Sequence, residues 1–469
     1  MLSAGTIPES LSSIHKAFTN IVPNRSLGIP LSLFAGLATT SLFFLTFRDV
    51  YFPGDVTKIA SWKEKSDLEA KSKSKIVPSP LTTQIPTLSR GEIFALPYPP
   101  DIFPGARDIP SPYGSTRAYE FGPLTGPKVL LIHGISTPCI SLHSLATTLA
   151  SSHGCRVLLF DLFGRGYSDG VADLPHDERL YTAQILLVLT SSSLSWVGDG
   201  FNILGFSMGG GVAVDFAVGF PEMVQSVVLL APGGLIRDEK FGWKGKVMRK
   251  WWFPDALWGW ILRRRVSGAY KGAPNSLPSL SSSSLPVTNL DFDDKEDENQ
   301  GQVDSELTTA IPSSSLAKRT DTRISFDDTP ISPSLPHITV GEVMCWQTQR
   351  HRGYANAFAS SIMYASISGC EETWRRLWGS RDCRTSQEDG KSRSREKILL
   401  IVGEWDDVIV PQELKEDLER MADSIDTGDD RRWNFDERVV WEVVKGAGHE
   451  FPITKGEEVA ELVGKFLSV

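Results

Sequence analysis

Six short apolar runs, at 129–132, 156–160, 201–204, 227–230, 398–402 and 439–444, are rich in Val, Leu and Ile and are bounded by Gly, Asp or Pro. Runs of that length and composition are what strands buried on both faces look like. Helical stretches alternate with them, so the expected fold class is α/β, with a mostly parallel sheet flanked by helices. A hydrophobic fraction of 41% over 469 residues is enough for a sizeable core and excludes wholesale disorder.

The strand rhythm breaks between about residues 233 and 395. This interval opens with a Trp- and Arg-rich helical pattern at 241–265, passes through a tract at about 271–336 dense in Ser, Pro and Asp, and returns to a helical pattern at 341–378. The middle tract includes Asp291-Phe292-Asp293-Asp294-Lys295-Glu296-Asp297-Glu298 and cannot bury enough apolar surface to offset its ordering entropy. The interval therefore reads as a helical cap carrying a disordered insert, placed after the sixth strand. Core segments are expected at 113–232 and 396–469.

Residues 205–209 read Gly205-Phe206-Ser207-Met208-Gly209, directly after one apolar run and directly before a helix-like run at 210–220. A strand that turns straight into a helix leaves the central serine in a strained conformation and leaves no space for side chains at the flanking glycines. The hydroxyl is thereby thrust out at the strand's C-terminal end, above the helix N-terminus. Serine at neutral pH needs a base within hydrogen-bond reach, and the base needs an orienting carboxylate.

His449, in Gly446-Ala447-Gly448-His449 after the last apolar run, has the best setting for that base. The carboxylate should fall between nucleophile and histidine in chain order. Gly403-Glu404-Trp405-Asp406-Asp407 follows the run 398–402, and Asp406 is the choice there, with Asp407 as a loop cap and Glu404 as the outsider. For the oxyanion, His133-Gly134-Ile135 follows the run 129–132, so the Ile135 N–H can pair with the Met208 N–H as donors. His133 reads as a buttress of that loop, and His143, His153, His176 and His351 as surface or packing residues.

These pieces, in this order, resemble the α/β-hydrolase superfamily over about 116–231 and 397–469. The resemblance rests on the elbow, on His133-Gly134, on Asp161-Leu162-Phe163-Gly164-Arg165-Gly166-Tyr167-Ser168 after the fourth strand, on Gly403-Glu404-Trp405-Asp406 and on Gly446-Ala447-Gly448-His449. It implies an α/β-hydrolase fold and a serine ester hydrolase similar to monoacylglycerol-lipase-type and small-ester enzymes. In that family the Asp161 segment is chiefly a structural turn lining the site, so Asp161 takes no catalytic part. Serine at the elbow, rather than aspartate, points away from the family's haloalkane dehalogenases and epoxide hydrolases. A thioesterase, an amidase or a carbon-carbon bond hydrolase on the same triad stays open, as does a non-catalytic scaffold on the same fold. No metal or organic cofactor is expected.

Ahead of the core, residues 27–47 form an uncharged, largely apolar stretch of about 21 residues, long enough as a helix for the roughly 30 Å hydrocarbon core. It reads as a single transmembrane anchor, preceded by a tail at 1–26 and followed by a charged, Pro-rich tether at 48–112. A cleaved signal peptide fits poorly, because some 26 residues precede the stretch and no small-residue cleavage pattern follows; a hydrophobic targeting segment is the other rival. Lys16 and Arg25 precede it, whereas Arg48, Lys58, Lys63 and Lys65 follow, so the catalytic part is expected to face the cytosol. Five scattered cysteines without a C-x-x-C pair agree with a reducing compartment. Trp243, Trp251, Trp252, Trp258 and Trp260, interleaved with Lys and Arg, suit lid helices over an acyl pocket and equally a second membrane contact. With 48 Lys and Arg against 57 Asp and Glu, a net charge of −9, a nucleic-acid partner is not expected.

Overall fold

The computed structural model describes residues 75–237, 240, 326–379, 398–424 and 435–467. The expected anchor at 27–47, the tether up to residue 74, the Trp- and Arg-rich pattern at 241–265 and the tract from 271 to 325 lie outside the described residues. Among the described residues, no helix is long and apolar enough to cross a membrane.

The six apolar runs are all strands of one eight-stranded sheet. In chain order the sheet contains β1 (Ala106–Ile109), β2 (Thr116–Phe121), β3 (Lys128–Ile132), β4 (Arg156–Phe160), β5 (Phe201–Phe206), β6 (Val224–Leu230), β7 (Ile398–Gly403) and β8 (Val439–Val444). Their spatial order is β8-β7-β6-β5-β3-β4-β2-β1. Pairing is parallel from β8 through to β4, whereas β2 is antiparallel to both β4 and β1. The central strands β5 and β7 are buried at every position, which is why they read as unbroken apolar runs. Helices α1 (His143–Ser151), α2 (Glu178–Thr190), α3 (Met208–Gly219), α7 (Pro411–Asp423) and α8 (Gly456–Leu467) cover it, while α4 (Val340–Arg350), α5 (Tyr354–Tyr364) and α6 (Glu371–Gly379) come from the interval between β6 and β7.

The order of the sheet positions the site. In a parallel sheet, reactive loops gather at the carboxyl ends of the strands, where successive connections diverge. Here β3 and β5 are neighbours although β4 separates them in sequence, so the loops after both strands leave the sheet side by side.

Two expectations need correction. The stretch 75–112, expected as an unpacked tether, is built into the fold. Leu96, Tyr98 and Phe103 are buried, 106–109 supplies edge strand β1, and Ile76–Val77 pairs with Gly170–Val171. The prolines of Pro97-Tyr98-Pro99-Pro100 suggested a spacer, but prolines also suit an irregular segment whose apolar side chains are pinned one by one to a core. The end of the expected disordered tract is ordered as well: Ile331 is fully buried, and Ile331 N–H donates to the Ile338 carbonyl. Of the expected cap, the described part is α4, α5, α6 and the segments that join them.

Phe103 provides the test of the first correction. Its ring lies 5.7 Å from Phe121, 5.2 Å from Tyr119 and 5.0 Å from His143, centroid to centroid. Chemical denaturation of Phe103→Ala is expected to show a loss of about 3–5 kcal/mol. A loss within about 0.5 kcal/mol, as for a surface residue, would return 96–109 to the status of a tether.

Candidate functional site

The turn between β5 and α3 carries Ser207 at φ 54° and ψ −123°, a left-handed conformation that costs a non-glycine residue free energy. It persists because its surroundings leave no alternative. A Cβ on Gly205 would stand 2.2 Å from the Gly209 carbonyl oxygen, and one on Gly209 would stand 2.4 Å from the Ile132 and 2.5 Å from the His133 carbonyl oxygens. The two glycines of the motif thus let the turn close and let β3 pass directly against it.

His449 lies on the loop after β8. Its Nε2 is 3.0 Å from Ser207 Oγ, and its Nδ1 is 2.9 Å from Asp406 Oδ2. The other Asp406 oxygen, Oδ1, accepts from the Val408 and Ile409 N–H groups at 3.0 and 2.7 Å, which fixes the carboxylate on its loop. Of the three acids at 404–407, Asp406 is the one brought to His449. It is buried, whereas Glu404 is exposed and turned elsewhere. Burial alone would lower the basicity of the His449 imidazole, but the Asp406 carboxylate outweighs it, with Glu450 and Asp407 adding to the effect, so its pKa is raised above the ordinary 6.5.

The loops that carry Asp406 and His449 are laced together. Glu404 N–H donates to the Val444 carbonyl, Trp405 N–H to the Ala447 carbonyl, and Gly446 N–H to Glu404 Oε2 at 2.8 Å. Gly403 must lack a side chain, because a Cβ there would meet the Gly448 and Ala447 carbonyl oxygens at 2.4 and 2.6 Å. Glu404, the outsider among the acids, is therefore a strap on the histidine loop. Nothing in its sequence context signals that role beyond its place beside Gly403.

Gly134 sits against the nucleophile, since a Cβ on it would be 3.5 Å from Ser207 Cβ. Ile135 follows on the same loop, and Met208 opens α3. Among the described residues, no hydrogen-bond acceptor is found for the N–H of Ile135 or of Met208. His133 is fully buried. Its Nδ1–H donates to the Gly134 carbonyl at 2.8 Å, and its Nε2 accepts from Leu162 N–H at 2.9 Å, which is the buttress expected from sequence. Burial, with Arg165 adding to it, holds its pKa down at about 3, so the ring is neutral.

Asp161 is buried, and among the described residues none of its hydrogen bonds goes to Ser207 or His449. It accepts from Cys139 N–H and Tyr167 N–H, each at 2.9 Å, and from the Tyr98 hydroxyl at 2.9 Å. Burial raises its pKa, partly offset by the Tyr167 and Cys139 amides. Cys139 is a fully buried free thiol. Among the described residues, no group of His, Cys, Asp and Glu is placed to hold a metal ion.

The alpha/beta hydrolase family profile matches residues 129–462, and the chain belongs to that family. Among curated relatives, it is 34% identical over 132 residues to a serine hydrolase-like protein of Danio rerio, a match covering 28% of this chain and 39% of that one. An uncharacterized protein of Mycobacterium tuberculosis is 31% identical over 144 residues, covering 29% of this chain and 38% of its own length. The chain thus spans well under half the length of either relative. A solved membrane phospholipase A, described as a bacterial virulence factor, superposes with a TM-score of 0.46 at 15% identity, over 92% of this chain and 97% of that one.

Titration of the His449 imidazole by NMR is expected to give a pKa above 6.5 in the unmodified protein. Asp406→Asn removes the dominant opposing charge and leaves burial, so the value is expected to fall below 6.5, whereas Asp407→Asn shifts it less. A larger shift from Asp407→Asn would move the partnership to that residue.

Proposed function

We propose that the chain is a serine hydrolase that cleaves a carboxylic ester through an acyl-enzyme. The observation that carries this reading is the unbroken line Asp406, His449, Ser207, with hydrogen bonds of 2.9 and 3.0 Å, ending on a hydroxyl held out by a strained turn. His449 takes the Ser207 proton as Oγ attacks the carbonyl carbon, and Asp406 orients the ring and stabilises the imidazolium. The carbonyl π pair moves onto oxygen, and the Ile135 and Met208 N–H groups donate hydrogen bonds to the oxyanion so formed. Each of those donors is expected to contribute about 3 kcal/mol in the transition state. His449 then returns the proton to the leaving alcohol, and a water repeats the sequence in reverse roles to free the acid.

An ester is preferred over a thioester, an amide or a carbon-carbon bond on the strength of the resemblance to ester hydrolases read from the motifs. Attachment to a membrane through 27–47, with the catalytic part on the cytosolic side, belongs to the same proposal and rests on the length and apolarity of that stretch and on its flanking charges. A helical cap over the acyl site, with the Trp- and Arg-rich segment as its membrane-facing part, would suit a lipid-derived ester.

Hydrolysis of p-nitrophenyl esters of graded chain length, assayed in detergent and on liposomes, tests the reading together with labelling by a fluorophosphonate. Ser207→Ala is expected to lose both labelling and at least about 10⁴-fold in turnover. Full turnover by Ser207→Ala would remove the proposed nucleophile, and an unmodified protein inert toward every ester and the label would favour a scaffold.

A further inference from the structure

Arg165 lies on the turn 161–168 that follows β4, and its side chain is fully buried. Among the described residues, no carboxylate pairs with it. Its N–H groups go to neutral oxygens only: Nε to the Ile135 carbonyl at 3.2 Å, Nη1 to the Phe163 carbonyl at 3.0 Å and the Tyr181 hydroxyl at 3.1 Å, and Nη2 to Ser361 Oγ at 2.8 Å. A buried cation without a counter-charge is costly, and a neutral side chain would fill the same space more cheaply. The charge itself therefore needs a reason, and the reason lies in what Nε holds.

The two peptide units that flank the Ile135 α-carbon are both held from this one turn. The unit before it runs from the Gly134 carbonyl to the Ile135 N–H. His133 donates to that carbonyl, and Leu162, on the turn, fixes the His133 tautomer. A carbonyl that accepts a hydrogen bond makes the N–H of the same peptide a better donor, because bonded dipoles polarise one another. The unit after it begins with the Ile135 carbonyl, and Arg165 holds that one. The loop is thus clamped on both sides of the Ile135 α-carbon.

The cation acts on the rings around it. Burial first, and the Arg165 charge after it, keep His133 and His176 down at about 3; burial holds His351 at about 4, where the Asp169 carboxylate opposes the Arg165 charge. These rings are neutral at physiological pH and add no charge of their own. Through Ser361 on α5, the guanidinium also ties the oxyanion loop to the helices between β6 and β7.

We propose that Arg165 is a positioning residue of the ester-cleaving site: it fixes the Ile135 peptide and sets a buried positive charge, with no direct carboxylate partner among the described residues, against the loop proposed to hold the oxyanion. The inference rests on the acyl-transfer reading above. In that step the Oγ to carbon bond forms, the carbonyl π pair moves to oxygen and the Oγ proton goes to His449 Nε2. Arg165 makes no bond to the reacting atoms and acts only through the Ile135 peptide and its field.

The test compares Arg165→Met, which removes the charge at similar volume, and Arg165→Lys, which keeps the charge but has one point of attachment. Circular dichroism and melting curves establish that each is folded. p-Nitrophenyl butyrate gives kcat and KM, and an alkylboronic acid, whose serine adduct carries the tetrahedral oxygen, reports on the oxyanion site alone. Arg165→Met is expected to lose about ten- to a hundredfold in kcat, less than removal of a direct donor, with KM within about threefold and boronate affinity falling in step. Arg165→Lys is expected to fall between the two, and it carries the test if Arg165→Met does not fold. A folded variant with kcat within about twofold of the unmodified protein, or one that raises KM alone, overturns the inference. Failure of the unmodified protein to take a fluorophosphonate label would instead overturn the acyl-transfer reading itself, so the two failures are distinguishable.

Discussion

The contact between the β5–α3 turn and the end of β3 leaves no space for a side chain. Carbonyl oxygens of Ile132 and His133 stand where a Cβ on Gly209 would be, and the Gly209 carbonyl stands where one on Gly205 would be. Close packing of backbone on backbone forces Ser207 into its left-handed conformation, and the parallel β3–β5 register holds the two elements together. The rest of the site follows from that approach. It directs the Ser207 hydroxyl out of the sheet and brings the loop at 133–135 alongside it.

Around this centre, the other loops are held by side chains rather than by further strands. Glu404 straps the Asp406 loop to the His449 loop, and the turn 161–168 braces the loop at 133–135 through Leu162 and Arg165. That turn is itself fixed by Asp161, whose carboxylate gathers two amides and the Tyr98 hydroxyl. On the proposed acyl-transfer reading, such a chain of buried hydrogen bonds holds donors and base in place before substrate arrives, which is where electrostatic catalysis gains most. The segment 96–103 takes a structural part in it, since Tyr98 closes the Asp161 network and Phe103 packs on the aromatic cluster of Tyr119, Phe121 and His143.

Much of this is legible in the sequence, for physical reasons that differ by element. Strands buried on both faces are written as unbroken Val, Leu and Ile, so β3 to β8 stand out with bounds shifted by at most a few residues. The serine, its glycines and the His449 loop are legible because steric demands leave few residue types for an elbow. Asp406 is separable from Asp407 only by a guess at loop geometry, and the bonds from Val408 and Ile409 N–H to its second oxygen have no sequence signature. Tyr98 is misread because a proline-rich segment looks the same whether it is solvated or pinned to a core. Arg165 escapes notice because a lone arginine in a turn is usually exposed, and its burial depends on Tyr181 and on Ser361, nearly 200 residues away.

The central claim is that Ser207 carries the acyl group during turnover. Mixing the protein with p-nitrophenyl acetate, quenching with acid within the first turnovers and mapping the digested peptides by mass measures this directly. One acetyl adduct is expected, on the peptide containing Ser207, building up faster in His449→Ala supplied with imidazole than in His449→Ala alone. Steady release of nitrophenol with no adduct on that peptide, or with the acetyl group on another residue, would contradict it.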